Sequence, residues 1–472
     1  MIKLLVAADD FTGALDTGVQ FAKQGIRTWV TTNVDVDFVS IDEDIDVLVV
    51  DTETRHKTPD EAYKIVSNLI KEATDFGIGH IYKKTDSVLR GNIGSELLGA
   101  MDGAGCGRLM FVPAFPDNNR TTENGIQYVS GVPIAESHFA KDPFTPVCKS
   151  FIPDIIGQYA SVKTTIVKSG EFKKAEEFEK VTSFKEGRGI FIFDAKTNEE
   201  LEHIGKMLAN SSQTKLIAGC AGFAGVLHTI LEFNRRPPES IIQGNNILLV
   251  SGSVNDTAIE QMSHAKQIGF KGISLTPEQK LSRHDKSSSP QEKQIQWEEL
   301  IQKIKDILVH NRLAYIEAVE NREDMEKTNR YAVENGIGLD VNLDVNSDIN
   351  VNAGVDRITN TGIDEISNSD VDFIRTLITE NIGEIVKQIV DNCKVDNLFI
   401  FGGDTLLGIT KKLGIKSIVP LFEIGSGIVV SKIISDKYSF NIVTKAGGLG
   451  GKNAAELVVE RLLYVDTSHL LS

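Results

Sequence analysis

Two adjacent carboxylates, Asp9 and Asp10, directly follow a short apolar run near the start of the chain. Such a pair is unfavourable at the end of a buried strand unless it meets a cation, hydrogen-bond donors or a polar ligand. Thr12 and Gly13 then allow a tight turn into a helix, whose N-terminal amides can hold polar ligand atoms. Helix capping would explain one of the acids but not both. The pattern therefore favours a ligand site that contains Asp9 and Asp10.

Basic side chains follow two further apolar runs. Arg55 closes the segment DTETR, and its planar guanidinium matches a carboxylate, although an exposed ion pair would explain Arg55 alone. Lys83 and Lys84 open a loop that also carries an acid and two hydroxyl groups. The cations suit the carboxylate of a polyhydroxylated anion, and the acid and hydroxyl groups suit its hydroxyls. The loop residues Lys83, Lys84, Thr85, Asp86 and Ser87 are therefore predicted to bind such an anion.

A polar, proline-stiffened loop runs from Pro113 to Thr122 and contains Arg120. It could border a pocket in which Arg120 binds an anion. A loop that only packs on its neighbours explains the segment nearly as well, so Arg120 is not among the predicted ligands.

Glycine-containing turns follow three predicted strands in the second half of the chain. They are Ser251–Ser253, Gly402–Thr405 and Lys445–Gly451, and a helix follows each. Glycines let backbone amides approach phosphate oxygens, and a helix N-terminus favours negative charge. None of the turns matches the P-loop pattern, and Gly402–Thr405 is not a GxGxxG fingerprint. Three such turns in one half of the chain, with Asp404 available to a magnesium ion or a hydroxyl proton, favour nucleotide binding.

The elements that must position these residues alternate along the chain. Apolar runs such as Lys3–Ala7, His80–Lys83 and Leu398–Phe401 predict buried strands, and segments with helical spacing such as Pro59–Thr74 separate them. This alternation predicts an α/β fold with two domains, each a mainly parallel sheet flanked by helices. Ligands of such sheets bind at the carboxyl ends of the strands, which is where the motifs fall.

The polar, proline-containing stretch Asn234–Asn245 is the predicted linker. We expect one domain over residues 1–243 and a second over residues 244–472. The segment Asn321–Asp370, rich in Asn, Asp and Val, interrupts the alternation. It predicts an insertion made of edge strands or without regular structure.

The chain of 472 residues is longer than one hydrophobic core usually serves. Its 66 acidic and 50 basic side chains give a formal charge of −16, which is poorly suited to nucleic-acid binding. The four cysteines show neither zinc-ligand spacing nor a disulfide framework. The first apolar run is too short for a signal peptide, and no stretch approaches the roughly 18 apolar residues of a membrane helix. We therefore expect a cytoplasmic protein without membrane or nucleic-acid partners.

Taken together, the motifs resemble the four-carbon acid sugar kinase family. The matching segments span nearly the whole chain and are ADDFTGALDTG, DTETR, KKTDSVLRGNIGSEL, PAFPDNNRTTENG, ESHFAKDPFTP, SGSVNDTAIEQ, FGGDT and KAGGLG. The resemblance implies an N-terminal domain that binds a sugar acid, a C-terminal domain that binds ATP with Mg²⁺, and phosphorylation of the 4-hydroxyl of the acid. The residues that it implies for substrate binding are Asp9, Arg55, Lys83, Lys84, Thr85, Asp86 and Ser87. Those that it implies for ATP binding are Ser251, Ser253, Gly402, Gly403, Asp404, Thr405 and Gly447. Leu406 and Val254 depart from the family pattern on the nucleotide side.

Within the family, Asp16–Gly25 is more similar to the D-threonate kinases than to the 3-oxo-tetronate kinases. The implied reaction converts D-threonate to D-threonate 4-phosphate, with D-erythronate and 3-oxo-tetronate as alternative substrates. A non-catalytic sugar-acid sensor would need only the N-terminal site and would leave the glycine turns unexplained. A nicotinamide-dependent dehydrogenase would need a dinucleotide fingerprint that is not found in the right place.

A kinase of this kind needs an acid that orients the substrate hydroxyl or accepts its proton. The candidates are Asp9, Asp10, Asp86 and Asp404. The prediction places Asp404 first and Asp10 second, and it assigns no further metal ligands. A homodimer is compatible with the sequence, which contains no direct indication of the oligomeric state.

Overall fold

The computed structural model describes residues 2–41, 44–141, 146–168, 170–183, 187–237, 241–282, 289–337 and 368–463. Backbone contacts divide the chain into two compact units, which we call the N-terminal unit and the C-terminal unit. The N-terminal unit comprises Met1–Ile241 and Lys416–Ile434, and the C-terminal unit comprises Ile242–Ile415 and Ser435–Ser472.

The described residues form the strands β1 (Leu4–Ala8), β2 (Thr28–Thr31), β3 (Val47–Asp51), β4 (His80–Lys84), β5 (Arg108–Val112), β6 (Arg120–Glu123), β7 (Ile126–Val129), β8 (Val132–Pro133), β9 (Lys163–Val167), β10 (Gly189–Phe193), β11 (Leu216–Gly219), β12 (Ile247–Ser251), β13 (Lys271–Ser274), β14 (Leu313–Glu317), β15 (Asn397–Phe401), β16 (Ser417–Gly425), β17 (Ile428–Ile434) and β18 (Asn441–Lys445). The helices are α1 (Phe11–Ala22), α2 (Pro59–Phe76), α3 (Ile93–Gly103), α4 (Ile152–Ile156), α5 (Ala175–Val181), α6 (Asn198–Ala209), α7 (Ala221–Ala224), α8 (Asp256–Gln267), α9 (Pro277–Leu281), α10 (Pro290–His310), α11 (Arg322–Glu334), α12 (Asn368–Asn392), α13 (Gly403–Leu413) and α14 (Ala454–Leu463). Within the described ranges, every helix is too short or too polar to cross a bilayer.

The main sheet of the N-terminal unit has the strand order β17-β16-β2-β3-β1-β4-β11-β5-β10-β9. The eight strands from β2 to β9 in that order are parallel. Strand β1, with the sequence LLVAA, is buried along its whole length, as expected for a central parallel strand that is covered on both faces. The carboxyl ends of β3, β1 and β4 therefore lie next to one another.

One segment departs from the predicted division into domains. We expected Lys416–Ile434 in the second domain, but β16 pairs antiparallel with β2, with Ser417 opposite Thr31. The carbonyl oxygen of Lys416 also accepts a hydrogen bond of 2.9 Å from Thr31 Oγ1. The hairpin of β16 and β17 therefore belongs to the N-terminal unit. The sequence did not predict this, because pairing between strands so far apart in sequence has no local signature.

A hydrophobic core of the N-terminal unit lies between the sheet and the helices α2 and α3. Helix α2 begins with a capping box formed by Thr58 and Glu61, and Pro59 occupies its first turn. The core includes Val66, Leu69 and Ile70 from α2, Leu97, Ala100 and Met101 from α3, and Leu5, Ile81 and Leu109 from the sheet. This packing fixes the strand ends that carry the charged residues.

The C-terminal unit contains a parallel sheet with the order β13-β14-β12-β15-β18. Ser251 lies opposite Phe401, and Phe401 lies opposite Lys445. The three glycine turns therefore leave the sheet at neighbouring positions on one edge. The α/β class with mainly parallel sheets is confirmed in both units.

The segment predicted to be an insertion, Asn321–Asp370, begins with a regular helix. The Asn321 side chain caps α11 by accepting a hydrogen bond of 2.9 Å from the Asp324 amide. Thr328 and Ala332, four residues apart, are buried on one face of α11. The prediction of edge strands or irregular structure is therefore wrong for this part, and residues 338–367 lie outside the described residues.

Candidate active site

The carboxyl ends of β1, β3 and β4 bring Asp9, Asp10, Arg55 and Lys84 together. Arg55 Nε donates to Asp9 Oδ2 at 2.7 Å, and Arg55 Nη2 donates to Asp10 Oδ1 at 2.6 Å. Lys84 Nζ donates to Asp9 Oδ1 at 3.3 Å. The adjacent carboxylates therefore meet their cations within the protein.

These four side chains form a cluster of fixed charges. Burial alone would raise the pKa of Asp9, but Arg55 and Lys84 lower it to about 2. Burial alone would lower the pKa of Lys84, but Asp9 and Asp10 raise it above its ordinary value. A group that stays ionised near neutral pH orients a polar ligand but is a weak acceptor of a proton. The cluster is therefore better suited to binding than to proton transfer.

Asp10 also starts helix α1. Its Oδ1 accepts a hydrogen bond of 3.2 Å from the Gly13 amide, and its Oδ2 accepts one of 2.8 Å from Thr12 Oγ1. A Cβ atom on Gly13 would overlap Lys84 Nζ, so a larger residue there would displace the Lys84 ammonium group. Both carboxylate oxygens of Asp10 are thus engaged by the protein, which favours a positioning role over a catalytic one.

The loop after β4 is built around Asp86. Arg90 donates to it from Nε at 2.9 Å and from Nη2 at 3.0 Å, and the Val88 amide donates at 3.3 Å. Burial alone would raise the pKa of Asp86, but Arg90 and Arg55 hold it well below its usual range. Leu89 has a φ of +62°, a left-handed conformation that costs about 1–3 kcal/mol and is typical of ligand sites. The Asp86 contacts hold the loop in this strained form.

Lys83 is not brought to the cluster. We predicted a strand that ends at Lys83, but β4 continues through Lys84, so the two side chains point to opposite faces of the sheet. Lys83 Nζ lies 2.9 Å from Glu96 Oε2, and their side chains are 0% and 1% exposed. Lys83 Nζ also donates to the Lys84 carbonyl oxygen at 2.6 Å. The predicted pairing of the two lysines on one ligand is therefore not supported by the geometry.

The two predicted hydroxyl ligands differ in their surroundings. Thr85 is buried, and its Oγ1 has no hydrogen-bond partner within the described part of the chain. Ser87 is partly exposed. Buried hydroxyl groups are usually paired, so Thr85 is the stronger candidate for a hydrogen bond to a ligand.

The glycine turns of the C-terminal unit meet at the edge of its sheet. A Cβ atom on Gly252 would overlap Thr405 Oγ1. Gly402 has a φ of +100°, and a Cβ atom there would lie 3.6 Å from Ser253 Cβ. Glycine is required at position 252 for the close approach and at position 402 for the left-handed backbone. They therefore present backbone amides and hydroxyl groups at the N-terminus of α13.

Asp404 lies in the first turn of α13 with its side chain 51% exposed. Arg375 Nη1 of α12 lies 3.7 Å from Asp404 Oδ2, beyond ordinary hydrogen-bond distance. Of the four predicted acids, Asp404 is the most accessible, whereas Asp9, Asp10 and Asp86 are held by arginine side chains at 2.6–3.0 Å.

Lys445, at the end of β18, is a buried cation that the sequence-based site did not include. Its Nζ donates to Gln261 Oε1 at 2.9 Å and lies 5.2 Å from the centre of the Phe401 ring. Gln261 Nε2 in turn donates to the carbonyl oxygens of Leu449, Gly450 and Gly451 at 3.0–3.3 Å. Gln261 thus joins the lysine to the last glycine turn.

Comparisons with known proteins agree with the two units. Residues 4–227 match the model of a sugar-binding N-terminal domain, and residues 344–455 match that of a nucleotide-binding C-terminal domain. A D-threonate kinase of Salmonella typhimurium is 26% identical over 98% of this chain and 99% of its own length. The chain belongs to the four-carbon acid sugar kinase family.

Other relatives in this family act on related acids. A D-erythronate kinase of Heliobacterium modesticaldum is 28% identical over 56% of this chain and 60% of its own length. A 3-oxo-tetronate kinase of Escherichia coli is 29% identical over 57% of this chain and 70% of its own length. The names of these relatives share a four-carbon acid and differ in which one it is.

Two crystal structures have the same fold. One, from Salmonella typhimurium LT2, has a TM-score of 0.73 at 19% identity and covers 98% of this chain and 100% of its own. The other, from Haemophilus influenzae, has a TM-score of 0.67 at 19% identity and covers 97% of this chain and 100% of its own. The family fold is therefore shared over nearly the full length.

In this family member, a signal for Lys445 was present in the sequence. A lysine directly after an apolar strand and before a glycine turn is an unusual choice, because a buried ammonium is unfavourable without a partner. Burial lowers the pKa of Lys445 to about 7. Gln261 had no such signal, because its contacts are made across 184 or more positions.

The free energy of unfolding of the kinase should depend on pH through the titration of Lys445. The folded-state pKa of about 7 lies below the ordinary value of 10.5, so the unfolded chain binds a proton in this window that the folded chain does not. Stability therefore rises with pH across it. Relative to Lys445→Met, the unfolding free energy of the chain with Lys445 should gain roughly 1.4 kcal/mol per pH unit, measured by denaturant unfolding in a Trp29→Phe background, in which Trp297 of α10 is the reporter. Exposed Lys452→Met is the control, and a difference that stays constant with pH would contradict the prediction.

Proposed function

We propose that this protein is an ATP-dependent kinase that phosphorylates the 4-hydroxyl of a four-carbon sugar acid, with D-threonate as the preferred substrate. The observation that carries the proposal is the alignment with a D-threonate kinase over 98% of this chain, in a chain with a charged site in one unit and glycine turns in the other. D-Erythronate and 3-oxo-tetronate, named for other relatives, are the alternative acids.

In the N-terminal unit, the proposed substrate site is the charged cluster with its neighbouring loop. Asp9, Arg55 and Lys84 hold one another in place, so they can orient hydroxyl groups without first reorganising. Asp86 fixes the loop that carries Thr85 and Ser87, and the unpaired Thr85 Oγ1 suits a substrate hydroxyl.

In the C-terminal unit, the proposed ATP-binding residues lie around the start of α13. Backbone amides of the glycine turns and the helix N-terminus favour phosphate oxygens. Gly402 and Gly403 open the helix, while Ser251, Ser253 and Thr405 lie on the adjoining turns, and Gly447 has a φ of +39°. When bound, ATP supplies the phosphoryl group, and magnesium neutralises its phosphates.

The donor set fits a magnesium ion that is held mainly by phosphates. Within the described ranges, no group of three or more His, Cys, Asp or Glu side chains forms a protein metal site. Magnesium in kinases is commonly held by one or two carboxylates together with substrate phosphates and water. The accessible carboxylate of Asp404 would serve as one such ligand or would accept the proton of the substrate hydroxyl.

The test is ADP release by the purified full chain with D-threonate, L-threonate, D-erythronate and 3-oxo-tetronate. We expect turnover that requires both ATP and magnesium, with the largest kcat/KM for D-threonate. Binding of an acid without ADP release would indicate a non-catalytic sugar-acid sensor and contradict the kinase function. Reduction of a nicotinamide cofactor in place of ADP release would indicate a dehydrogenase.

A further inference from the structure

Arg120, at the start of β6, is only partly hydrogen-bonded by the described residues. Its Nη1 donates to the Asn118 carbonyl oxygen, and its Nε is buried with no partner among the described residues. Asn118 is itself held in place, because Ser426 Oγ lies 2.5 Å from Asn118 Oδ1. The guanidinium is thus anchored on one side and unsatisfied on the other. Buried donors without partners are rare in proteins and call for an explanation.

Phe139 lies close to both Arg120 and Arg90, the arginine that pairs with Asp86. The Cζ atoms of Arg90 and Arg120 lie 5.5 Å and 5.9 Å from the centre of the Phe139 ring. Arg90 turns its Nε and Nη2 edge to Asp86. On Arg120 the same edge faces no carboxylate of the described residues within 4.0 Å. The positive charge of Arg90 contributes to lowering the pKa of Arg120, and a bound anion would offset this repulsion.

The other cations of the site are already neutralised. Each has a carboxylate within 3.3 Å, and the pairs are Arg55 with Asp9 and Asp10, Lys84 with Asp9, and Arg90 with Asp86. A sugar acid adds one more negative charge, which needs a further cation. Burial lowers the pKa of Arg120, and Asp86 raises it by less, so an arriving carboxylate would relieve the cost of burying this guanidinium.

We propose that Arg120 binds the carboxylate of the substrate through its Nε and Nη2 edge. This proposal rests on the sugar-acid kinase function proposed above. In this proposal the substrate carboxylate is bound at the start of β6, and not by Arg55 and the lysines as the sequence predicted. The ion-paired cluster then contacts the hydroxyl groups, so Arg120 selects acids over neutral polyols, whereas the cluster selects among stereoisomers.

The test compares Arg120→Met with the wild type by calorimetric titration of the preferred acid and of its primary amide, which is neutral and has nearly the same shape. We expect Arg120→Met to weaken binding of the acid on the order of 100-fold and binding of the amide by less than about threefold. Arg120→Lys should recover part of the affinity, since it keeps the charge but loses the planar edge. Arg188→Met, which removes an exposed arginine paired with Asp102, is the matched control.

Equal weakening for the acid and the amide would indicate a structural role and overturn the proposal, as would unchanged affinity for the acid in Arg120→Met. Thermal melting checks that each variant is folded. Because binding requires no turnover, a wild type that binds acids without releasing ADP rejects the kinase function and still decides the role of Arg120. A wild type that binds no acid overturns both.

Discussion

Replacement of Asp404 by asparagine is expected to lower kcat by about 10²- to 10⁴-fold, the usual contribution of a general base. Asparagine keeps the size and polarity of the side chain but does not accept a proton. The KM for the sugar acid should change little, because the affinity for the acid is assigned to the side chains of the N-terminal unit, whereas Asp404 belongs to the C-terminal unit. An effect on kcat with an unchanged KM identifies a group that acts mainly in the transition state.

The experiment is steady-state ADP release with the ATP and acid concentrations varied separately. Glu323→Gln is the control, because Glu323 also lies in the first turn of a helix of the same unit and pairs with Lys327 at 2.8 Å. An unchanged kcat would remove Asp404 from catalysis. A raised KM for ATP at constant kcat would make it a ligand of the nucleotide or its metal.

Replacement of Lys83 by methionine is expected to destabilise the N-terminal unit by about 3–5 kcal/mol, because it leaves the buried Glu96 carboxylate without its cation. The two groups are 2.9 Å apart and excluded from water. The double variant Lys83→Met with Glu96→Leu should recover most of the loss, since apolar side chains of similar size can replace a buried ion pair. Recovery in the double variant distinguishes an ion pair from two independent contributions.

A reporter confined to one unit is needed, because two-unit chains seldom unfold in one step. Trp29 lies in β2 and Trp297 in α10, so a Trp297→Phe background makes fluorescence specific to the N-terminal unit. Urea unfolding of the single and double variants gives the stabilities. Calorimetry of the double variant then tests binding. If it folds but no longer binds the sugar acid, Lys83 is a substrate ligand after all.

Much of the site could be placed from the sequence because of how parallel sheets are built. A strand covered on both faces is mostly apolar, so charged residues at the end of an apolar run indicate the carboxyl end of the strand. Asp9 directly follows β1, Lys84 is the last residue of β4, and Asp404 lies in the first turn of the helix after β15. The glycine turns could be read for the same reason, since helix N-termini follow them.

The roles of the charges could not be read in the same way, because they depend on pairs formed across the fold. Arg55 reaches Asp9 over 46 positions, and the strand end at Lys84 rather than Lys83 decides which lysine meets the carboxylates. A shift of one residue at a strand end turns a side chain to the other face of the sheet. Apolar patterning does not define strand ends to that accuracy.

The sequence by itself determined the α/β class, the charged and glycine-containing strand ends, and the kinase family, because these depend on local patterns and ordered motifs. Only the tertiary structure decided that Lys83 forms a buried ion pair with Glu96 and that the hairpin of β16 and β17 joins the N-terminal unit. It also decided that Arg120 Nε has no hydrogen-bond partner among the described residues. Each of these depends on which distant groups meet after burial. Charges that meet a partner inside the protein are neutralised, and those that do not are left for a ligand.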